Sequence, residues 1–149
     1  MNDDLYQKGL KIRKDVLGSE YVEKSLANSN EFNEPMQRLV SEYCWGAVWG
    51  REELPKKTRS MLNIAMLALL NRPNEFKLHI RGALRNGVTK EEIREILLQV
   101  AIYGGVPAAI DSFKNAKEII DAETTPLKLK QVTITQNYPN TNRLRIFNP

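Results

Sequence analysis

The 149-residue chain has a single cysteine, Cys44, and a single histidine, His79. One cysteine excludes an intrachain disulfide framework and a CxxC redox pair, and beside one imidazole it leaves too few soft ligands for a zinc site, so no bound metal is expected. Long hydrophobic runs are also missing. Met61 to Leu70 is interrupted by Asn63 and closes at Asn71 and Arg72, well short of the roughly 20 apolar residues that span a bilayer. The amino-terminal MNDDLYQKGLK has no apolar h-region, so a secretory signal is not expected and the cytoplasm is the expected location. Charge of one sign is scarce as well. The net charge of +4 comes from basic residues interleaved with acids, as in KEEIRE, which is the pattern of solvated helix faces and not of a nucleic-acid stripe. Neither a nucleic acid nor a membrane is an expected partner, and no internal repeat or low-complexity tract breaks the chain.

What is present is ordinary globular material: 42% hydrophobic and 27% charged residues, enough for one domain with a real core. Residues 3–17 place Leu5, Leu10, Ile12, Val16 and Leu17 on an amphipathic pattern with acids at the start and Gly18 after the end, which predicts a first helix. Ser19 is a candidate cap for a short second helix through Leu26. The polar NSNEFNE reads as a loop, and Pro35 can open a third helix, MQRLVSEYCWGAVWG. On that helix Leu39, Tyr43 and Ala47 form one stripe and Trp45 and Trp49 a second. One stripe meets the core and the other a cavity or a partner subunit.

Pro55 opens a helix to about Asn71 that is apolar on nearly every side beyond Ser60, so it is expected at the centre of a helical bundle. Lys56, Lys57 and Arg59 in its first turns make an anion-friendly corner. Pro73 and Gly87 bracket the next helix, whose Phe76, Ile80, Ala83 and Leu84 face the core, with His79 at the edge of that face. Thr89 and Glu92 fit a capping box for a helix that runs to Tyr103 and is broken by Gly104 and Gly105. The paired glycines suit a helix crossing or a close approach of backbone to a ligand. A last helix is predicted from Pro107 to Asp121. From Thr124 onward Val-Thr-Ile-Thr alternation, prolines and a basic end read as an extended arm or a tail. The chain therefore divides into a helical domain, 1–123, and a C-terminal arm, 124–149.

Taken together, EYCWGAVWG, the TRS of residues 58–60, H-x-x-x-A-L-x-N-G-V-T-x-E-E-I from His79 and Y-x-G-x-P-A-A from Tyr103 resemble the carboxymuconolactone decarboxylase family, over about residues 36–120. That family is related to the alkylhydroperoxidase-D-like thiol proteins. The resemblance implies an all-α fold of packed helical hairpins of the alkylhydroperoxidase-D-like type, assembled as a homo-oligomer, trimer or hexamer, with sites near subunit contacts. It also implies loss of CO2 from a small anionic lactone without a metal or organic cofactor, the conjugated ring serving as electron sink. On this resemblance His79 is the catalytic proton donor, its ordinary pKa lying near neutrality, and Arg59 holds a carboxylate. Trp45, Tyr103 and Glu42 contribute to the substrate pocket. The resemblance implies a glutamate at position 47, where this chain has Ala47, so Glu42 or Glu53 are candidate substitutes.

Two other functional classes fit parts of the same sequence. Cys44 and the relation to thiol proteins suggest a thiol-dependent peroxidase, although the chain supplies no resolving cysteine. Ala47 suggests a non-catalytic oligomer that binds a small hydrophobic anion. For each named residue a purely structural role is the competing explanation, as for a histidine packed at a helix edge or two tryptophans buried in a core.

Overall fold

The computed structural model describes the backbone of residues 2–136 and the side chains through residue 124. Among these residues every regular element is helical: α1 (Asp3–Leu17), α2 (Ser19–Ala27), α3 (Glu34–Leu39), a π-helical segment (Val40–Val48), α4 (Lys56–Leu69), α5 (Pro73–Arg85), α6 (Lys90–Gly104) and α7 (Val106–Gln136). The fold is all-α, as expected from the sequence.

The helix boundaries follow from local chemistry. Asn2 caps α1 by accepting the Leu5 N–H at 3.1 Å, and Gly18, at φ 96°, ends it. The capping box at α6 is complete, with the Thr89 hydroxyl accepting from Glu92 N and the Glu92 carboxylate from Thr89 N. Two expectations shift at this level. Gly18, and not Ser19, occupies the cap position of α2, and no side chain caps that helix. The last helix continues past Asp121 to Gln136, so the stretch from Thr124 to Gln136 is helical where an extended arm was expected. LKLKQ at 127–131 consists of residues with good helix propensity, and here that outweighs the β-branched alternation after it. Residues 137–149, the rest of that expected arm, lie outside the described residues.

Two cores result. Helices α4–α7 pack as two hairpins around Ile64, Phe76, Ile80, Ile93, Leu97 and Val100, all almost fully buried, where burial of each large side chain stabilises the fold by about 1.5–3 kcal/mol. Gly104 belongs to this unit: a Cβ there would lie 1.8 Å from Leu69 Cδ2. The glycine therefore serves a close helix crossing. The second core joins α1 and α2 to the π-helical segment through Ile12, Val16, Leu17, Val22, Trp45 and Trp49. Helix α5 connects the two cores. Its Leu78 packs on the second core, and Arg85 donates to the carbonyls of Leu17 (3.0 Å) and Val16 (3.4 Å) at the end of α1.

Helix α4 is less enclosed than its sequence suggests. It packs on α5, α6 and α7, yet Leu62, Met66 and Leu69 are about half exposed and Leu70, just past its end, more so. Its all-round apolarity is not satisfied within one chain.

Candidate active site

The third helix predicted from the sequence is α-helical only as far as Leu39 and then widens into a π-helix, whose exit is marked by the Trp49 N–H donating to Cys44 O five residues back, at 2.9 Å. Such widened turns recur at functional sites because they re-aim side chains. Here the widening accompanies close passage of α1: a Cβ on Gly9 would sit 1.8 Å from the Ser41 carbonyl oxygen and 2.6 Å from Gly46 N. Trp45 and Trp49, 3% and 5% exposed, turn inward with ring centroids 4.8 Å apart. The other stripe is turned away, with Leu39 and Tyr43 about half exposed.

His79 lies against that indole pair. Its ring is nearly parallel to Trp45, at 4° and 6.2 Å between centroids, and lies 6.4 Å from Trp49. Asn63 Nδ2 is 3.4 Å from His79 Nδ1. An amide nitrogen can only donate, so this contact makes Nδ1 the acceptor and leaves the imidazole proton on Nε2. Burial pushes the His79 pKa down to about 4, and Glu75 offsets only part of that. The ordinary near-neutral value behind the proton-donor role does not hold in the folded chain: in the unliganded protein the imidazole is neutral at pH 7.

Arg59 sits on α4 one helical turn before Asn63, hence on the same side of that helix. Its Nε donates to Leu54 O at 3.2 Å and its Nη2 to Arg51 O at 3.4 Å. One edge of the guanidinium is fixed to the loop before α4, and Nη1 and the second Nη2 hydrogen remain to meet a carboxylate. The other cations of the anion-friendly corner have partners: Lys57 pairs with Glu92 at 2.7 Å and Lys56 with Asp15 at 3.4 Å.

The remaining sequence candidates are placed differently. Trp45 is part of the imidazole cluster. Glu42, 3% exposed, accepts the Asn2 N–H on Oε1 at 2.8 Å while its buried Oε2 has no hydrogen-bond partner. Its hydrogen bond is to the start of α1. Glu53 lies on the exposed loop beside Arg51, its own backbone N–H and that arginine holding its carboxyl below the usual range. Tyr103 is 81% exposed and lines a different feature, an apolar groove of about 710 Å³ between α4 and α6 that includes Met61, Leu62, Ala65, Ile96 and Val100 but neither His79 nor Arg59. Cys44 reaches the surface, and the protein packed around it raises its thiol pKa, with Arg13 offsetting only part of the effect. A raised thiol is a poorer peroxidatic nucleophile.

Two participants were not identified from the sequence as site residues. Asn63 figured only as an interruption of an apolar run, although a polar residue one turn after Arg59 on such a helix is itself a signal. Trp49 was grouped with Trp45, but its contact with His79 depends on how the π-helix meets α5, which sequence periodicity does not encode.

The model of the carboxymuconolactone decarboxylase family matches residues 34–118. A 4-carboxymuconolactone decarboxylase of Acinetobacter baylyi is 41% identical over 133 residues, covering 88% of this chain and 99% of its own. A nitrosuccinic acid decarboxylase of Metarhizium robertsii is 43% identical over 128 residues, covering 80% of this chain and 90% of its own. An uncharacterized 15.0 kDa protein of Paracoccus denitrificans is 33% identical over 85 residues, covering 55% and 63%.

Proposed function

This chain belongs to the carboxymuconolactone decarboxylase family, and from that premise we propose that it is a carboxy-lyase in which His79 and Arg59 act on a small anionic substrate, an unsaturated lactone or cyclic carboxylic acid. The observation that carries the reading is the chain's one imidazole, set against two buried indoles, with Nδ1 engaged by Asn63 and Arg59 one turn away.

The chemistry suits these groups. Breaking the bond to the departing carboxylate leaves its electron pair on carbon conjugated with the ring carbonyl, so an extended enolate forms and CO2 leaves. Arg59 holds the anion and His79 delivers a proton to carbon, which is then replaced from solvent. An imidazole with a pKa of about 4 is a poor proton carrier alone, but a bound carboxylate beside it favours the imidazolium and raises that value. Neutral in the empty site and charged in the occupied one, His79 is matched to an anionic substrate. The indole walls exclude water and strengthen both electrostatic contacts.

The two decarboxylase names point to acids in which the carbon losing CO2 is attached to an electron sink, a conjugated lactone in one and a nitro group in the other. Offering 4-carboxymuconolactone and nitrosuccinic acid separately, with a chelator present, tests the proposal. CO2 release from at least one, at a rate unchanged by the chelator, is expected; release from neither contradicts it. Activity on the lactone would place the protein in the breakdown of aromatic acids.

Homo-oligomeric assembly is part of the same reading. Its support is the apolar surface left on α4 by Leu62, Met66 and Leu70 and at the α6–α7 corner by Ile102, Val106 and Ile110. Sedimentation at micromolar concentration should give a mass above that of one chain, and a stable monomer would contradict this part.

A further inference from the structure

Asn63 is placed to do more than mark the tautomer of the resting imidazole. Among the described residues its side chain makes one hydrogen bond, the 3.4 Å contact with His79 Nδ1, and it is half-buried. No other group there holds the amide in one orientation, in contrast to Asn86, whose Nδ2 is tied to Ser60 Oγ at 2.9 Å. A carboxamide carries its donor and its acceptor on the same carbon, so a half-turn about χ2 exchanges Nδ2 for Oδ1 opposite the ring. The neighbouring elements bring no second group of that kind to the imidazole. The π-helix faces it with the indoles of Trp45 and Trp49, and the charge whose field reaches it is Glu75 on its own helix, α5. Arg59, one turn before Asn63 on α4, has its guanidinium bonded to the carbonyls of Leu54 and Arg51.

We propose that Asn63 is a positioning residue that follows His79 through its protonation states: Nδ2 donates to the bare Nδ1 of the neutral ring, and the amide turns so that Oδ1 accepts from Nδ1–H once the ring is charged. The inference rests on the decarboxylase reading and adds to it the group that holds the charged ring. Protonation of the neutral imidazole places hydrogens on both nitrogens. Nε2 then gives its proton to the carbon that CO2 has left, the electron pair of the enolate forming the C–H bond. The ring is left neutral with its hydrogen on Nδ1, where Oδ1 holds it, and Nε2 regains a proton from solvent. A charge-assisted hydrogen bond is about twice as strong as one between neutral groups. Loss of the amide therefore disfavours the imidazolium more than the neutral ring, and the proton donor becomes scarcer.

The test reads the ring directly and needs no substrate. His79 is the chain's only histidine, so long-range 1H–15N spectra of the uniformly labelled full chain follow Nδ1 and Nε2 through a pH titration without ambiguity. Asn63→Asp offers only acceptors and should raise the proton affinity of the ring by about tenfold or more, as an opposite charge at contact distance does. Asn63→Leu, of similar size with neither donor nor acceptor, should lower it by roughly threefold or more. With a substrate that is turned over, Asn63→Leu should lower kcat by about tenfold and leave KM within about twofold. A midpoint that stays at the wild-type value in both variants overturns the proposal, as does a wild-type kcat in Asn63→Leu when His79→Ala is inactive. If the midpoint moves as expected but His79→Ala keeps the wild-type rate of CO2 release, the coupling of Asn63 to the ring stands and the role of His79 in decarboxylation falls.

Discussion

The two cores of this protein differ in what surrounds their apolar centres. The α4–α7 core is a mainly aliphatic helical interior with Phe76 and Phe113, its buried polar side chains are the small hydroxyls of Ser60 and Ser112, and its tightest glycine contact is with the flexible end of Leu69. The layer between α1 and the π-helix buries Arg13, Ser41 and Glu42 beside the two tryptophans, and its tightest glycine contact is with backbone. One region is built to be stable and can relax. The other holds polar groups at fixed positions beside the imidazole and has little room to give. The proposed site lies where the two meet: the less conventional layer supplies Trp45 and Trp49, and α4 and α5 supply Arg59, Asn63 and His79.

Glycine replacements should separate the two regions most strongly. Gly9→Ala must displace either α1 or the backbone at Ser41 and Gly46, and a loss of about 3 kcal/mol or more is expected by chemical denaturation, with activity lost because Trp45 and Trp49 move. Gly104→Ala meets only a half-exposed leucine that can change rotamer, so a change within about 1 kcal/mol is expected. Equal effects would remove the contrast.

The second test is pH. His79 has a folded-state pKa of about 4 against an ordinary value of 6.5, so between those values the unfolded chain takes up a proton that the native ring does not. Stability must therefore fall as pH drops from 6.5 to 4, by about 3 kcal/mol in total from this group. Subtracting the stability curve of His79→Gln from that of the wild type isolates the effect. Phe76→Ala, a large destabilisation in the other core, should leave the pH dependence unchanged.

These contrasts also show what the sequence could and could not convey. The α4–α7 hairpins were legible because each signal was local: Pro73, the Thr89–Glu92 box, the Gly104–Gly105 break and apolar residues at helical spacing. Their failure at the last helix came from weighing prolines and β-branched residues above the helix formers between them. The site was legible only in part. His79 and Trp45 were identified and do lie together, but the close passage of α1 at Gly9 beside the π-helix, the contact of Asn63 on α4 with His79 on α5 and the burial that depresses the imidazole pKa are tertiary contacts that local spacing does not encode. Tyr103 shows the converse, since a motif placed it beside the others and the fold puts it on another groove.

Smaller effects refine the comparison. Ser41→Ala removes one of the two acceptors of the buried Arg13 guanidinium, the other being Gln37 Oε1 at 2.9 Å, and a cost of about 2 kcal/mol is expected. Thr89→Ala opens the capping box of α6 at the surface and should cost about 1 kcal/mol without changing KM. A reversal of that order would mean that the polar layer is less tightly coupled than its burial implies.

The central claim is that the imidazole beside the tryptophans is the reacting group. It is tested most directly by CO2 release from the substrate that the wild type accepts, compared with His79→Ala at equal folded concentration. A loss of kcat of about 10²–10⁴-fold is expected, the range of a positioned general acid or base. Equal rates for the two proteins would contradict the claim and leave the cluster as packing alone.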